Sequence, residues 1–231
     1  MKTLGRWLKW CLLGLVVIFL LWQLWLLGWV LLWGWINPGE TKFMEIRLAE
    51  LRLKNPQAQL KQQWVPYERI SIHLKRAIIA AEDAKFVDHE GFDWEGMQKA
   101  LEKNQKKGRF VAGGSTISQQ LAKNLFLTPN KSYFRKAEEA IITLMLENLW
   151  SKRRIFEVYL NVIEWGNGVF GAEAAARHYY NVGAAQLGPE QAARLAGMVP
   201  NPRYYDRNRA APGLGRKTTI ILGRMASADV P

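Results

Sequence analysis

The chain has 231 residues, of which 49% are hydrophobic and 23% charged, with a net charge of +12. That allows one substantial domain with an anchor but not two large domains, and it excludes wholesale disorder and collagen-like architecture. One cysteine rules out an internal disulfide and a thiolate zinc cluster, three histidines argue against a histidine-rich metal cage, and the basic excess calls for an anionic partner.

Composition is uneven along the chain. Seven of the eleven tryptophans lie at or before Trp35, and the first alanine is Ala49. From Trp10 to Ile36 no side chain carries charge, and Gln23 is the only strongly polar one. As a helix this run would be about 40 Å long, enough to cross a hydrocarbon core of roughly 30 Å. Trp7, Trp10, Trp29, Trp33 and Trp35 gather toward its ends, where amphipathic rings settle at an interface. A cleaved signal peptide would need a shorter apolar core and a small-residue cleavage site, and this segment has neither. We therefore expect residues 1–9 to form a cytoplasmic basic tail and 10–36 a transmembrane helix stopped by Asn37-Pro38-Gly39. Lys2, Arg6 and Lys9 precede the span, so the positive-inside rule places the N-terminus in the cytoplasm and the rest outside. The expected location is the cytoplasmic (inner) membrane, single-pass, with a periplasmic or otherwise extracytoplasmic domain. Nucleic acid is then an improbable partner.

Residues 37–64 read as a juxtamembrane segment. Met44, Leu48 and Leu51 share a helical stripe without a strong cap, and 54–61 looks like a polar connection. A helix at the membrane surface and a solvated stalk both fit.

The domain proper is expected over 65–231 and reads as mainly α. Ile70, Leu74, Ala77, Ile78 and Ala81 follow helical spacing up to Glu82-Asp83. Trp94, Met97 and Leu101 predict a second helix, giving way to a basic, glycine-bearing loop over 104–114 that is a candidate mobile cover. A third starts at Ser115 or Thr116, where Thr116 and Gln119 have capping-box spacing. A fourth spans Phe134 to Trp150, and a fifth carries Ile155, Val158, Tyr159 and Val162 on one face. Alanine-rich helices follow Gly171 and Gly188. A Pro/Gly/Arg loop then leads to a last helix over 217–225. No alternating strand of useful length is visible beyond a short hairpin.

Four clusters carry candidate chemistry. The stretch from Glu82 to Asp93 concentrates acids, Phe86 and His89 at a helix C-terminus, where the macrodipole disfavours negative charge by roughly 0.3–1 kcal/mol each. On these grounds alone a solvated acidic turn fits better than a catalytic one. Gly113-Gly114-Ser115-Thr116 feeds a helix N-terminus suited to phosphate, with Gln120 and Lys123 further along the face of Thr116; a merely well-capped helix has the same spacing. No Gly-Lys-Ser/Thr follows the glycines, so this is not a Walker A loop. Arg135 and Glu139 are i,i+4 partners. Lys152, Arg153 and Arg154 oppose the dipole of the helix they open, so they are either solvated or compensated by something anionic.

Taken together, the order Glu-Asp-x-x-Phe-x-x-His-x-Gly-x-Asp, Gly-Gly-Ser-Thr-Ile-x-Gln-Gln with Lys-Asn, Arg-Lys-x-x-Glu, and Arg-Ile-x-Glu-x-Tyr-Leu-Asn resembles the peptidoglycan glycosyltransferases (glycosyltransferase family 51). The likeness covers Pro66 to Met225. Ser118 stands where the family usually has threonine, and Phe156 where it has leucine. No serine begins a Ser-x-x-Lys motif, so the transpeptidase domain of larger members is not expected, and the chain resembles the monofunctional biosynthetic type. The resemblance implies a lysozyme-like helical fold that polymerises lipid II. The GlcNAc 4-hydroxyl of one lipid II attacks the undecaprenyl-diphosphate-linked growing chain, forming an inverted β-1,4 linkage. By motif match the catalytic residues are Glu82, the general base, and Glu139. Substrate binding falls to Asp83, Phe86, His89, Ser115, Thr116, Gln120, Lys123, Asn124, Arg135 and Lys136. No metal-ligating residues are assigned, and a divalent cation riding on the diphosphate is left open. Partners implied are the lipid-linked substrates, the membrane, and cell-wall synthesis or division proteins. Two rivals remain: a lysozyme-like peptidoglycan cleaving enzyme, and a non-catalytic membrane-anchored module that binds lipid or glycan.

Overall fold

A computed structural model describes residues 2–109, 113–130 and 132–231. The chain divides after Asn37 into two compact units. The first is a single helix, α1 (Lys2–Trp35), whose stretch Lys9–Trp35 has a mean hydropathy of 2.4 and is long and apolar enough to cross a membrane. Its tryptophans are not confined to the ends. Trp22, Trp25, Trp29 and Trp33, spaced three and four residues apart, form a ladder with ring centroids 4.8, 6.3 and 5.1 Å apart.

The second unit opens with α2 (Lys42–Arg52). Contrary to the sequence reading, α2 is capped: the Thr41 hydroxyl accepts from the Met44 amide at 3.3 Å. Phe43 and Met44 are buried and α2 packs against α5 (Ile117–Phe126), so the segment is a docked helix rather than a stalk. The cap was missed because a lone threonine before a basic residue has no Glu/Gln three positions on to mark it.

Next come α3 (Ile72–Glu82), capped by Ser71, and α4 (Trp94–Lys107), capped by Asp93. The expected loop at Asn104 is instead the last turn of α4. Lysine and glutamine extend a helix readily, and Gly108, at φ +60°, ends it in the left-handed conformation that glycine adopts without strain. Of the proposed cover, residues 110–112 lie outside the described residues. The capping box predicted for α5 is present, with Thr116 and Gln119 bonded reciprocally.

α6 (Tyr133–Leu149) and α7 (Lys152–Val162) start at the serine caps Ser132 and Ser151. α7 is the core of the domain: Ile155, Phe156, Val158, Tyr159, Leu160 and Val162 are fully buried, each such burial being worth about 1.5–3 kcal/mol. The expected hairpin is β2 (Glu164–Gly166) against β3 (Val169–Phe170), and β1 (Lys61–Gln62) adds to β3 in parallel. Gly171, at φ +81°, leads into α8 (Ala172–Tyr180), and a Cβ there would lie 2.7 Å from the Asn161 carbonyl oxygen.

α9 (Pro189–Met198), α10 (Pro202–Arg207) and α11 (Pro212–Arg224) complete the domain. α11 starts five residues before the expected Lys217. Pro212 sits at its first turn, where a missing N–H costs nothing, and Gly213 and Gly215 had made that turn look like loop. α3, α9 and α11 pack together as one group of helices, and α5, α6 and α7 as another. The fold is mainly α, as expected.

Candidate active site

Helix α3 ends on two adjacent acids that meet different fates. Asp83 turns inward and is buried. Its Oδ2 accepts from the Ile117 amide at 2.9 Å, in the first turn of α5, and His89 Nε2 lies 2.9 Å from Oδ1. The acid that the end of α3 disfavours is thus welcomed by the positive N-terminus of α5. The Gly91 amide donates to His89 Nδ1 at 3.1 Å, so the ring proton sits on Nε2 and is donated to Asp83. The Thr116 hydroxyl donates to the Gly91 carbonyl at 2.7 Å, closing the 83–91 turn onto α5.

Glu82 is directed the other way. It lines a groove of about 170 Å³, together with Ala81, Ala196, Gly197, Lys217 and Ile221 from α3, α9 and α11. Gln120 Nε2 donates to Glu82 Oε2 at 2.8 Å, and Gln120 Oε1 accepts from the Tyr159 hydroxyl at 2.9 Å. Burial pushes the Glu82 carboxyl above its usual range, the charge of Asp83 adds to this, and Gln120, Lys217 and Lys123 act against it. Tyr159 is fully buried, and its phenol is held well above its ordinary range by that burial and by the charges of Glu82 and Asp83, so it remains a donor.

Lys123 links the acid to the cation cluster. Burial lowers its pKa, while Glu139 and Glu82 draw it up and Arg135 and Lys136 push it down. Glu139 is buried and receives Arg135 Nη1 and Lys136 Nζ together. Lys136 Nζ also reaches the exposed Ser115 hydroxyl at 3.3 Å. Among the described residues the buried Arg135 Nε has no hydrogen-bond partner, a spare donor within the cluster. Glu82, Gln120, Lys123, Ser115, Arg135, Lys136 and Glu139 therefore form one connected constellation. A carboxylate of raised basicity stands at one end and a basic cluster at the other, a layout suited to taking a proton while neutralising a departing anion.

Phe86 is sealed from solvent and packs on Phe156 at 5.5 Å; Asp83, Thr116 and Asn124 are also buried, and the His89 ring is nearly so. Asn124 donates to the Gln120 carbonyl at 2.7 Å. In this conformation these side chains are packed beneath the constellation rather than open to solvent.

A family model described as Transglycosylase matches residues 49–226. The biosynthetic peptidoglycan transglycosylase of Dechloromonas aromatica (strain RCB) is 89% identical over the whole of both chains. Those of Azoarcus sp. (strain BH72) and Aromatoleum aromaticum (strain DSM 19018 / LMG 30748 / EbN1) are 64% and 63% identical, again over the whole of both chains. The chain belongs to the peptidoglycan transglycosylase family. It is a glycosyltransferase of peptidoglycan synthesis, as the sequence resemblance implied.

Three contributors escaped the sequence reading. Lys217 is distant in sequence from every motif but lies close enough to bias the Glu82 carboxylate. In the sequence Tyr159 is one of a row of core positions, and only the fold aims its hydroxyl at Gln120. The third is a support network at the start of α7. Lys152 Nζ donates to the His89 carbonyl, pairs with Glu147 at 2.9 Å and sits 4.7 Å above the Phe86 ring. The buried Ser118 hydroxyl donates to Glu147. Glu68 and Glu157 take Arg153 and Arg154, so each cation that opposes the α7 dipole has an acid. Among the described residues no group of three or more His, Cys, Asp and Glu side chains is placed to hold a metal ion.

Proposed function

We propose that this enzyme polymerises lipid II at the outer face of the cytoplasmic membrane. The growing glycan on undecaprenyl diphosphate is the donor, and the GlcNAc 4-hydroxyl of an incoming lipid II is the acceptor. The O4–C1 bond forms as the bond from C1 to the diphosphate oxygen breaks, with inversion to β-1,4. Glu82 takes the hydroxyl proton, and undecaprenyl diphosphate leaves with the bonding electron pair. Lys123, Arg135 and Lys136 neutralise the developing charge, Glu139 holds the last two in register, and Gln120 and Ser115 add hydrogen bonds. Asp83, His89, Phe86, Thr116 and Asn124 act beneath, as positioning residues.

The observation that carries this reading is the hydrogen bond from Gln120 to Glu82 at 2.8 Å, which sets the carboxylate beside α5 one helical turn from Lys123, an ammonium also acted on by the charges of Arg135, Lys136 and Glu139. A carboxylate alone can serve hydrolysis or transfer. A carboxylate facing a basic cluster suits a diphosphate leaving group, which needs countercharge more than a proton. We further propose that α1 spans the membrane, with Lys2, Arg6 and Lys9 on the cytoplasmic side. That tether keeps the site at the surface where both lipid-linked substrates lie, among the other proteins of cell-wall synthesis and division.

One observation favours the hydrolytic rival: burial raises the Glu82 carboxyl, as a general acid would require. Purified protein given lipid II separates the two. Polymer and free undecaprenyl diphosphate are expected, with both lost in Glu82→Gln. Shortening of a preformed glycan without chain growth would transfer the assignment to the cleaving enzyme. Function unchanged in Glu82→Gln would leave only a binding module.

A further inference from the structure

The basic helix α2 begins seven residues after α1 ends, and its first half precedes the region matched by the family model. It nonetheless touches the reaction machinery. Phe43 is buried in its first turn, and the Lys123 ammonium lies 6.0 Å from the centroid of the Phe43 ring. The Arg47 guanidinium approaches the same ring at 4.7 Å. A π face is a favourable neighbour for a cation that burial has stripped of water. Lys123 makes no ion pair within 4 Å among the described residues, so this ring is a specific contact on an ammonium that Glu139 and Glu82 attract only from further away.

α2 is itself held by a closed ring of alternating charge. Arg47 pairs with Glu50 at 2.8 Å and with Glu164 at 3.2 Å. Arg203, on α10, pairs with Glu50 at 3.1 Å and stands 4.0 Å from Glu164. Glu164 is buried on β2, and among the described residues its Oε1 has no hydrogen-bond partner and Arg47 is its nearest cation. Losing α2 would strand that carboxylate without its closest counterion, so the ring favours the docked helix.

We propose that Phe43 is a positioning residue for Lys123, and that the Arg47–Glu50–Arg203–Glu164 ring locks α2 so that the segment joining the apolar helix to the domain belongs to the catalytic apparatus. The proposal rests on the reading of Lys123 as a cation for the leaving diphosphate. It deepens that reading by naming what holds the ammonium in place.

Polymerisation of lipid II by the full chain tests it. Phe43→Leu keeps the apolar volume but removes the π face, whereas Phe43→Tyr keeps both. With Leu, kcat is expected to fall about fivefold, with KM within about twofold of wild type. The alkaline limb of the kcat profile should move about half a pH unit lower, since the ammonium loses a stabilising neighbour while staying buried. Tyr should restore both, with matching melting temperatures for all three proteins. Leu behaving like wild type, or Tyr failing as badly as Leu, would reduce Phe43 to core packing and overturn the proposal. A wild-type protein that makes no polymer would overturn the underlying reading of the site, and this one with it.

Discussion

Gln120 stands between Tyr159 and Glu82: its amide nitrogen donates to the carboxylate at 2.8 Å because its amide oxygen is occupied by the phenol at 2.9 Å. An amide can present either end to a neighbour, and a carboxylate needs the donor end. The Tyr159 hydroxyl, a donor held protonated by burial, removes the choice. Tyr159→Phe should leave the fold intact and lower kcat about fivefold, the effect of one net hydrogen bond of about 1 kcal/mol. Polymerisation kinetics with a thermal melt check this. An unchanged kcat would mean that Gln120 keeps its orientation unaided.

Two opposed shifts shape the pH dependence. The base must be ionised, and Glu82 is raised by burial, so activity should rise with pH through a value above the ordinary carboxylate range. The cation must be protonated, and Lys123 is lowered by burial, so activity should fall at a pH below the ordinary lysine range. A bell narrower on both sides than unperturbed side chains would give is the expected kcat profile. Lys123→Arg should move the alkaline limb upward, because guanidinium does not titrate there. An alkaline limb that stays in place would assign it to another group.

The same burial makes the Glu82 charge a liability for stability. A carboxyl whose folded pKa lies above its unfolded value of 4.5 binds its proton more tightly in the folded state, so stability is lost as pH rises from there through the folded value. At neutral pH the Glu82 charge therefore works against the fold. Glu82→Gln, expected to abolish polymerisation, should raise the melting temperature at pH 7 by roughly 2–4 °C, the effect of about 1 kcal/mol in a domain of this size. The gain should vanish near pH 4. A lower melting temperature at pH 7 would show that the attraction of Lys123 and Lys217 outweighs burial.

Lys152 carries a different kind of prediction, since it compensates the buried Glu147 and grips the His89 carbonyl. Lys152→Met leaves that carboxylate with the Ser118 hydroxyl and no counterion, and should cost about 3–5 kcal/mol of stability. Adding Glu147→Gln should recover much of the loss. Chemical denaturation of wild type, Lys152→Met, Glu147→Gln and the double variant gives the coupling directly, and additive losses would mean that the pair is not compensatory.

Much of this architecture was legible in the sequence because its signals are local. The uncharged run over 10–36 needs no partner to be recognised. Thr116 and Gln119 cap the start of α5 within four residues, and the stripe Ile155, Val158, Tyr159 and Val162 declares the buried face of α7. The boundaries that slipped did so for local reasons too: Gly213 and Gly215 hid the first turn of α11, and the lysines and glutamine near Asn104 hid the last turn of α4. The four motifs that carry the family likeness likewise depend only on order and spacing.

What the letters alone left open was direction. Glu82 and Asp83 are chemically almost alike, and nothing in Glu-Asp says which faces the groove. Packing decided it, by bringing the N-terminus of α5 to Asp83 and leaving Glu82 to Gln120 and Lys217. Distance in the chain concealed the acids that neutralise Lys152, Arg153 and Arg154, the landing of α2 on α5, and the approach of Phe43 to Lys123. Periodicity and capping act over one or two helical turns and can be read from neighbours. Charge compensation and burial act through space, between residues that only the folded chain brings within a few ångströms of each other.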